Sequence, residues 1–162
     1  MNEEKRTIIR EPSTVLRARA RELSAEEIAS PRTKNLVADM LRVMSEENGV
    51  GIAAPQIGES LRVIIVETSA VPRVFVNPEI IRRSWRTSLS EEGCLSVPGV
   101  FGLVKRRHTV TVRAMTPVGK RETIKANGLL SVIFQHEIDH LDGILFIDKV
   151  VKYTQPPVER RI

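Results

Sequence analysis

The sequence predicts an α+β fold, on three observations: two segments with helical apolar spacing, a run of strand-like segments between them, and Gly or Pro punctuation that keeps those segments short. Its 162 residues, 41% hydrophobic and 28% charged, suit a single compact domain over residues 1–162 and exclude collagen-like, disordered and disulfide-scaffold classes.

The first helix begins at Ser30-Pro31, a capping hydroxyl followed by proline at the first helical position. Leu36, Val37, Met40, Leu41 and Met44 then recur at helical spacing as far as Asn48-Gly49. This N-terminal amphipathic helix is expected to cover a sheet. Strand-like stretches follow at Leu61 to Glu67, Arg73 to Val76, Glu79 to Arg86, Leu103 to Thr116 and Lys120 to Ala126, read as antiparallel ribbons joined by turns. The period of two is cleanest from His108 to Arg113, and Pro117-Val118-Gly119 supplies a turn after it. Asn127-Gly128 opens a second helix carrying Leu129, Leu130, Val132, Ile133, His136, Glu137, His140 and Leu141, which Gly143 ends.

The formal charge of +5 allows attraction to nucleic acid, the ribosome or an anionic membrane surface. Aromatic residues make up only 4%, too few for a stacked platform, so sequence-specific nucleic-acid recognition is not expected. The longest aliphatic run, Val63-Ile64-Ile65-Val66, is far shorter than the roughly 20 residues that span a bilayer, so no membrane partner is expected. One cysteine and a start without an apolar signal core suggest a reducing cytoplasm.

The sharpest chemical signal is His136-Glu137-Ile138-Asp139-His140. Residues four apart on a helix share a face and can share a metal, and Glu137 beside them is placed to take a proton from a metal-activated water. A catalytic site needs a third protein ligand. The position six residues after His140, where metzincins place a histidine, is Phe146, and the only other histidine is His108. Cys94, in Glu92-Gly93-Cys94-Leu95-Ser96, is the better candidate because thiolate joins imidazole on iron, zinc, nickel or cobalt. A further block, Gly49 to Gly58, has glycines that permit close backbone approach and Gln56, which can donate a hydrogen bond. It lacks the spacing and lysine of a phosphate loop.

Together GVGIAAPQ, EGCLS and HEIDHLDG, in this order between Gly49 and Gly143, resemble the peptide deformylase family. The resemblance implies antiparallel strands packed around a central metal-binding HExxH helix. It implies hydrolysis of the N-formyl group from the N-formylmethionine of nascent polypeptides, with Cys94, His136 and His140 holding one divalent metal. Ferrous iron is the family preference, and Zn2+, Ni2+ or Co2+ are accepted. Hydroxide generated at the metal attacks the formyl carbon, Glu137 passes the proton to the leaving amine, and Gln56 with the backbone N–H of Leu95 stabilises the oxyanion. The substrate is expected to lie extended along Gly49, Val50 and Gly51, its methionine against Val50, Leu129, Val132 and Ile133, with a Glu92–Arg106 pair behind the metal ligands. Only 13 residues follow Lys149, and Pro156-Pro157 interrupts them, so a long terminal helix is not expected. Two rivals remain at this level: a short metalloendopeptidase using the same helix, and a catalytically inactive ribosome-binding relative.

Overall fold

The structure, a computed structural model, describes residues 6–69 and 71–157. Two short helices, α1 (Thr14–Arg17) and α2 (Ala25–Ile28), precede α3 (Pro31–Glu46). Strands β1 (Gly51–Ala53), β2 (Val63–Glu67) and β3 (Pro72–Arg83) follow. Next come β4 (Thr87–Cys94), β5 (Val97–Arg107), β6 (Thr109–Met115) and β7 (Arg121–Asn127), then α4 (Gly128–Leu141) and β8 (Val150–Gln155). Short 3-10 turns occupy Ala54–Ile57 and Phe146–Asp148. The strands form two antiparallel sheets, one in the order β1-β2-β3-β6-β7 and one in the order β4-β5-β8.

Helix α3 starts where the sequence places it, with the Ser30 hydroxyl accepting from Thr33 N at 3.2 Å and Pro31 at the first position. A capping box that the sequence reading passed over starts α2, where Ser24 and Glu27 satisfy each other's backbone N–H groups. The run Val63-Ile64-Ile65-Val66 is buried throughout because β2 is covered on both faces. Val63 and Ile65 pack in one cluster with Leu36, Met40 and Val43 of α3; Ile64 and Val66 pack in another with Phe134, Ile138 and Leu141 of α4. The sheet is therefore a layer between two helices, and the apolar face of α4 is fixed against it.

Two strand boundaries differ from those the sequence suggests. Arg73–Val76 and Glu79–Arg86 belong largely to one strand, β3, which runs through Asn77-Pro78 by a bulge. Asn77 has φ 49° there and binds the Leu23 backbone through both amide atoms, at 2.9 and 2.8 Å. Conversely, Leu103 to Thr116 is not one strand. The chain leaves the three-stranded sheet at Arg107 and joins the five-stranded one at Thr109. Alternation continues through this switch, so periodicity cannot reveal it.

Beyond α4, β8 is a strand on the edge of the three-stranded sheet, and no helix follows it among the described residues. No helix there is long and apolar enough to cross a membrane. Gly143 closes α4 at φ 74°, with a Cβ at this position lying 2.5 Å from the Arg17 carbonyl oxygen. Gly143→Ala is expected to lower stability by about 1–3 kcal/mol, measured by urea unfolding, because alanine must leave this conformation and displace backbone. An unchanged midpoint would contradict it.

Candidate metal centre and cleft

Helix α4 puts His136 and His140 one turn apart, and the end of β4 brings Cys94 to them. One potential ligand atom from each residue lies within 4.8 Å of the others, and Cys94 Sγ is 3.3 Å from His140 Nε2. Thiolate and imidazole donors so gathered fit a divalent transition metal. Phe146, which occupies the metzincin ligand position, is buried and stacks near His136 with ring centroids 6.2 Å apart. His108 lies at the junction of the two sheets and is not part of this group.

Behind the donors stands an alternating chain of charge. Arg106 donates to both oxygens of Glu92, at 2.6 and 2.9 Å, and to Asp139 Oδ2 at 2.6 Å; Lys149 Nζ caps Asp139 at 2.8 Å. Glu92 Oε2 lies 2.8 Å from His136 Nδ1, which leaves Nε2 as that ring's ligating atom. Burial alone would push Glu92 up, but the hydrogen bonds from Arg106 and His136 outweigh it and hold its carboxyl at about 2. Burial, reinforced by the charges of His136 and Arg106, keeps His140 well below the usual imidazole range. It is therefore neutral and free to ligate. Asp139 and Lys149 were not among the candidates from sequence. Asp139 sits inside the HEIDH motif, yet only the fold shows that it meets Arg106.

Glu137 is buried, and its Oε2 has no hydrogen-bond partner among the described residues. Burial pushes its carboxyl up to about 7. A buried acceptor of that kind beside three metal donors is suited to exchanging a proton with water or substrate. The backbone of Gly51 passes so close that a Cβ there would lie 2.9 Å from Glu137 Cδ. Gly51→Ala is therefore expected to displace the carboxylate and cut turnover by about 10²-fold with bound metal unchanged, measured as rate per metal ion.

Gln56 stands on the other side of the thiol. Its Oε1 accepts from Ala53 N at 2.9 Å, which turns Nε2 toward Cys94 Sγ at 3.6 Å and the buried Ser96 hydroxyl at 3.2 Å. These groups open into a cleft of about 490 Å³. Gly49, Val50, Gly51, Gln56, Glu92, Cys94, Leu95, Leu129, Val132, Ile133, His136 and Glu137 line it, while His140 and Arg106 are buried behind. Val50 and Leu129 are exposed at the mouth, and Ile133 is buried. Arg10, Glu47, Glu91, Pro98 and Phe101 also line the cleft. No local pattern in the sequence marks these residues, because they arrive from the N-terminal segment, the end of α3 and the β4–β5 hairpin.

Three gathered donors, two of them opening into an apolar cleft, with a proton-accepting carboxylate alongside, make the site of a metal-dependent hydrolase. The family model described as polypeptide deformylase matches residues 5–156. The peptide deformylase of Desulforudis audaxviator is 46% identical over 143 residues, 88% of this chain and 91% of that one. That of Dictyoglomus turgidum is 48% identical over 75% of this chain and 78% of its own. Among solved structures, a class I type b peptide deformylase from Acinetobacter baumannii with Met-Ala-Ser bound superposes with TM-score 0.85 at 39% identity, covering 88% of this chain and 96% of that one. The Thermotoga maritima enzyme superposes with TM-score 0.86 at 33% identity, covering 90% and 97%. The chain belongs to the polypeptide deformylase family.

Proposed function

We propose that this chain is a peptide deformylase that hydrolyses the N-formyl group of N-formylmethionyl nascent peptides, acting as one catalytic domain in a bacterial-type cytoplasm. The observation that carries the reading is the buried, unpartnered Glu137 Oε2 in the same cleft as Cys94 and His136, with His140 completing the donor group behind them. Cys94, His136 and His140 would hold one divalent ion, ferrous iron in the first instance, which acidifies water so that hydroxide is available near neutral pH. Glu137 accepts the proton of that water and returns it to the leaving amine, which must depart protonated because an amide anion is too basic to expel. The Gln56 Nε2 amide and the Leu95 N–H take the charge that develops on the formyl oxygen.

Strand β1 is at the edge of its sheet, so an extended peptide can pair beside Gly49, Val50 and Gly51 through main-chain groups. Val50, Leu129, Val132 and Ile133 then offer the methionine side chain an apolar surface. The Met-Ala-Ser bound by the Acinetobacter baumannii relative supports a peptide beginning with methionine as the ligand class.

The test is formate release from N-formyl-Met-Ala-Ser by anaerobically purified protein, beside cleavage of an unformylated peptide. Formate with an intact backbone supports the proposal. Internal cleavage favours the metalloendopeptidase, and neither product from folded, metal-loaded protein favours the inactive relative. Gln56→Ala is expected to lower turnover by about 10²–10³ while metal content stays constant. Equal loss of metal and turnover would remove Gln56 from the oxyanion role.

A further inference from the structure

We propose that the outer face of the five-stranded sheet, around the β3–β4 turn, binds single-stranded RNA without sequence preference, its phosphates held by Arg82, Arg83 and Lys125 and one base stacked on Trp85. Register places Arg82 opposite Thr111, and Thr111 opposite Lys125, so the three share one face across β3, β6 and β7. With Arg83, Ser84 and Thr109 they line a second cleft of about 390 Å³, which shares no lining residue with the catalytic one.

The charge on this face is divided. Further along the same strands, Arg113 is neutralised by Glu79, its register partner on this face, at 2.7 Å. Arg82, Arg83 and Lys125 meet no carboxylate among the described residues, so three cations surround one cleft without counter-charge. Such a cleft attracts a polyanion, and a phosphodiester chain carries its charges in a row.

Trp85, the only tryptophan of the chain, directly follows the cleft-lining Ser84 and has 96% of its surface exposed. Its turn is not loose. Arg107 Nη1 donates to the carbonyls of Ser84 and Trp85 at 3.3 and 3.4 Å. Ser84 Oγ accepts from Thr109 N at 3.1 Å and donates to the Arg86 carbonyl at 2.9 Å. A large ring held out on an anchored turn beside unpaired arginines suits stacking on an unpaired base. Thr109 and Thr111 line the cleft beside the cations, and such hydroxyl-bearing side chains suit RNA with its 2′-hydroxyl better than an anionic membrane. One stacking ring reads no sequence.

The reading is independent of deformylation, and Trp85 makes it directly observable. Metal-loaded protein is titrated with a 12-nucleotide oligouridylate while tryptophan emission is followed, and labelled RNA anisotropy is measured in parallel from 50 to 200 mM salt. Quenching of Trp85 is expected, with a slope of log K against log salt of about −2 for three phosphate contacts. Trp85→Ala should weaken binding about 5- to 150-fold. Arg82→Ser and Lys125→Ser should each make the salt slope shallower by about 0.7. Formate release measured on each variant shows that it is folded and should not change. Absence of quenching and anisotropy change at 50 mM salt overturns the proposal. So does affinity that survives the triple substitution of Arg82, Arg83 and Lys125 by serine. Equal binding of oligodeoxythymidylate overturns the assignment to RNA, and preference for phosphatidylserine vesicles overturns it in favour of a membrane.

Discussion

Glu137→Ala is expected to lower deformylation by about 10²–10⁴-fold while the protein stays folded and retains its metal, with formate release and bound metal measured on one sample. Among the described residues, this carboxylate is the buried acid/base group beside the donor cluster that keeps an oxygen without a partner, whereas Glu92 is engaged by Arg106 and His136. Burial holds it at about 7, where it can both accept and return a proton near neutrality. Removing it also relieves a buried polar atom without a partner, so stability should not fall with activity. Glu137→Gln fills the same volume and should be equally inactive, which separates proton transfer from packing. Activity within tenfold of wild type in either variant would take the acid/base role away from this residue.

Arg106→Ala is expected to cost about 3–5 kcal/mol of stability by urea unfolding of the metal-free protein, because it leaves Glu92 buried without its bidentate partner. Metal affinity should fall about 10- to 100-fold as Glu92, which fixes the His136 ring, loses its own anchor. Arg106→Lys should not restore either quantity, since one ammonium cannot span both Glu92 oxygens and Asp139. The double substitution Glu92→Leu/Arg106→Leu separates the two effects. It should recover much of the stability, because no charge is stranded between them, while metal affinity stays low. Recovery of metal affinity in that variant would show that the pair matters only for folding.

Much of the site was legible because its chemistry is packed into short stretches. The four-residue spacing of His136 and His140 survives folding, since a helix of 14 residues turns sequence distance into direction. Helix α3 was legible for the same reason, with a cap and a proline marking its start. Strands were harder. β4 reads TSLSEEGC, mostly polar and exposed, because it shields little core and instead carries Glu92 and Cys94 inward. β3 hides its continuity behind Asn77-Pro78, where side-chain bonds to Leu23 compensate for a residue that pairing cannot use. The basic run Lys105-Arg106-Arg107 carries no local pattern that separates its members. In the fold its middle member is buried in the charge chain and its last anchors the Trp85 turn. Local pattern cannot assign three neighbours to three environments, because those are set by strands far away in sequence.

The switch of sheets at His108 has an architectural meaning. Strands β4 and β5 form an excursion from the five-stranded sheet, leaving after Ser84 and returning at Thr109. Ser84 N bonds the Thr109 carbonyl at 2.9 Å and His108 N bonds the Arg86 carbonyl at 2.9 Å, so the excursion is pinched shut at its base. Cys94 and Leu95 lie at the far tip of this hairpin, while both histidines belong to a helix seated on the larger sheet. The catalytic cleft is thus a jaw closed between a fixed part and an inserted arm. Changes in the arm's length or tip can reshape the mouth without re-registering the five-stranded sheet, which leaves substrate selection free to vary while the frame stays constant.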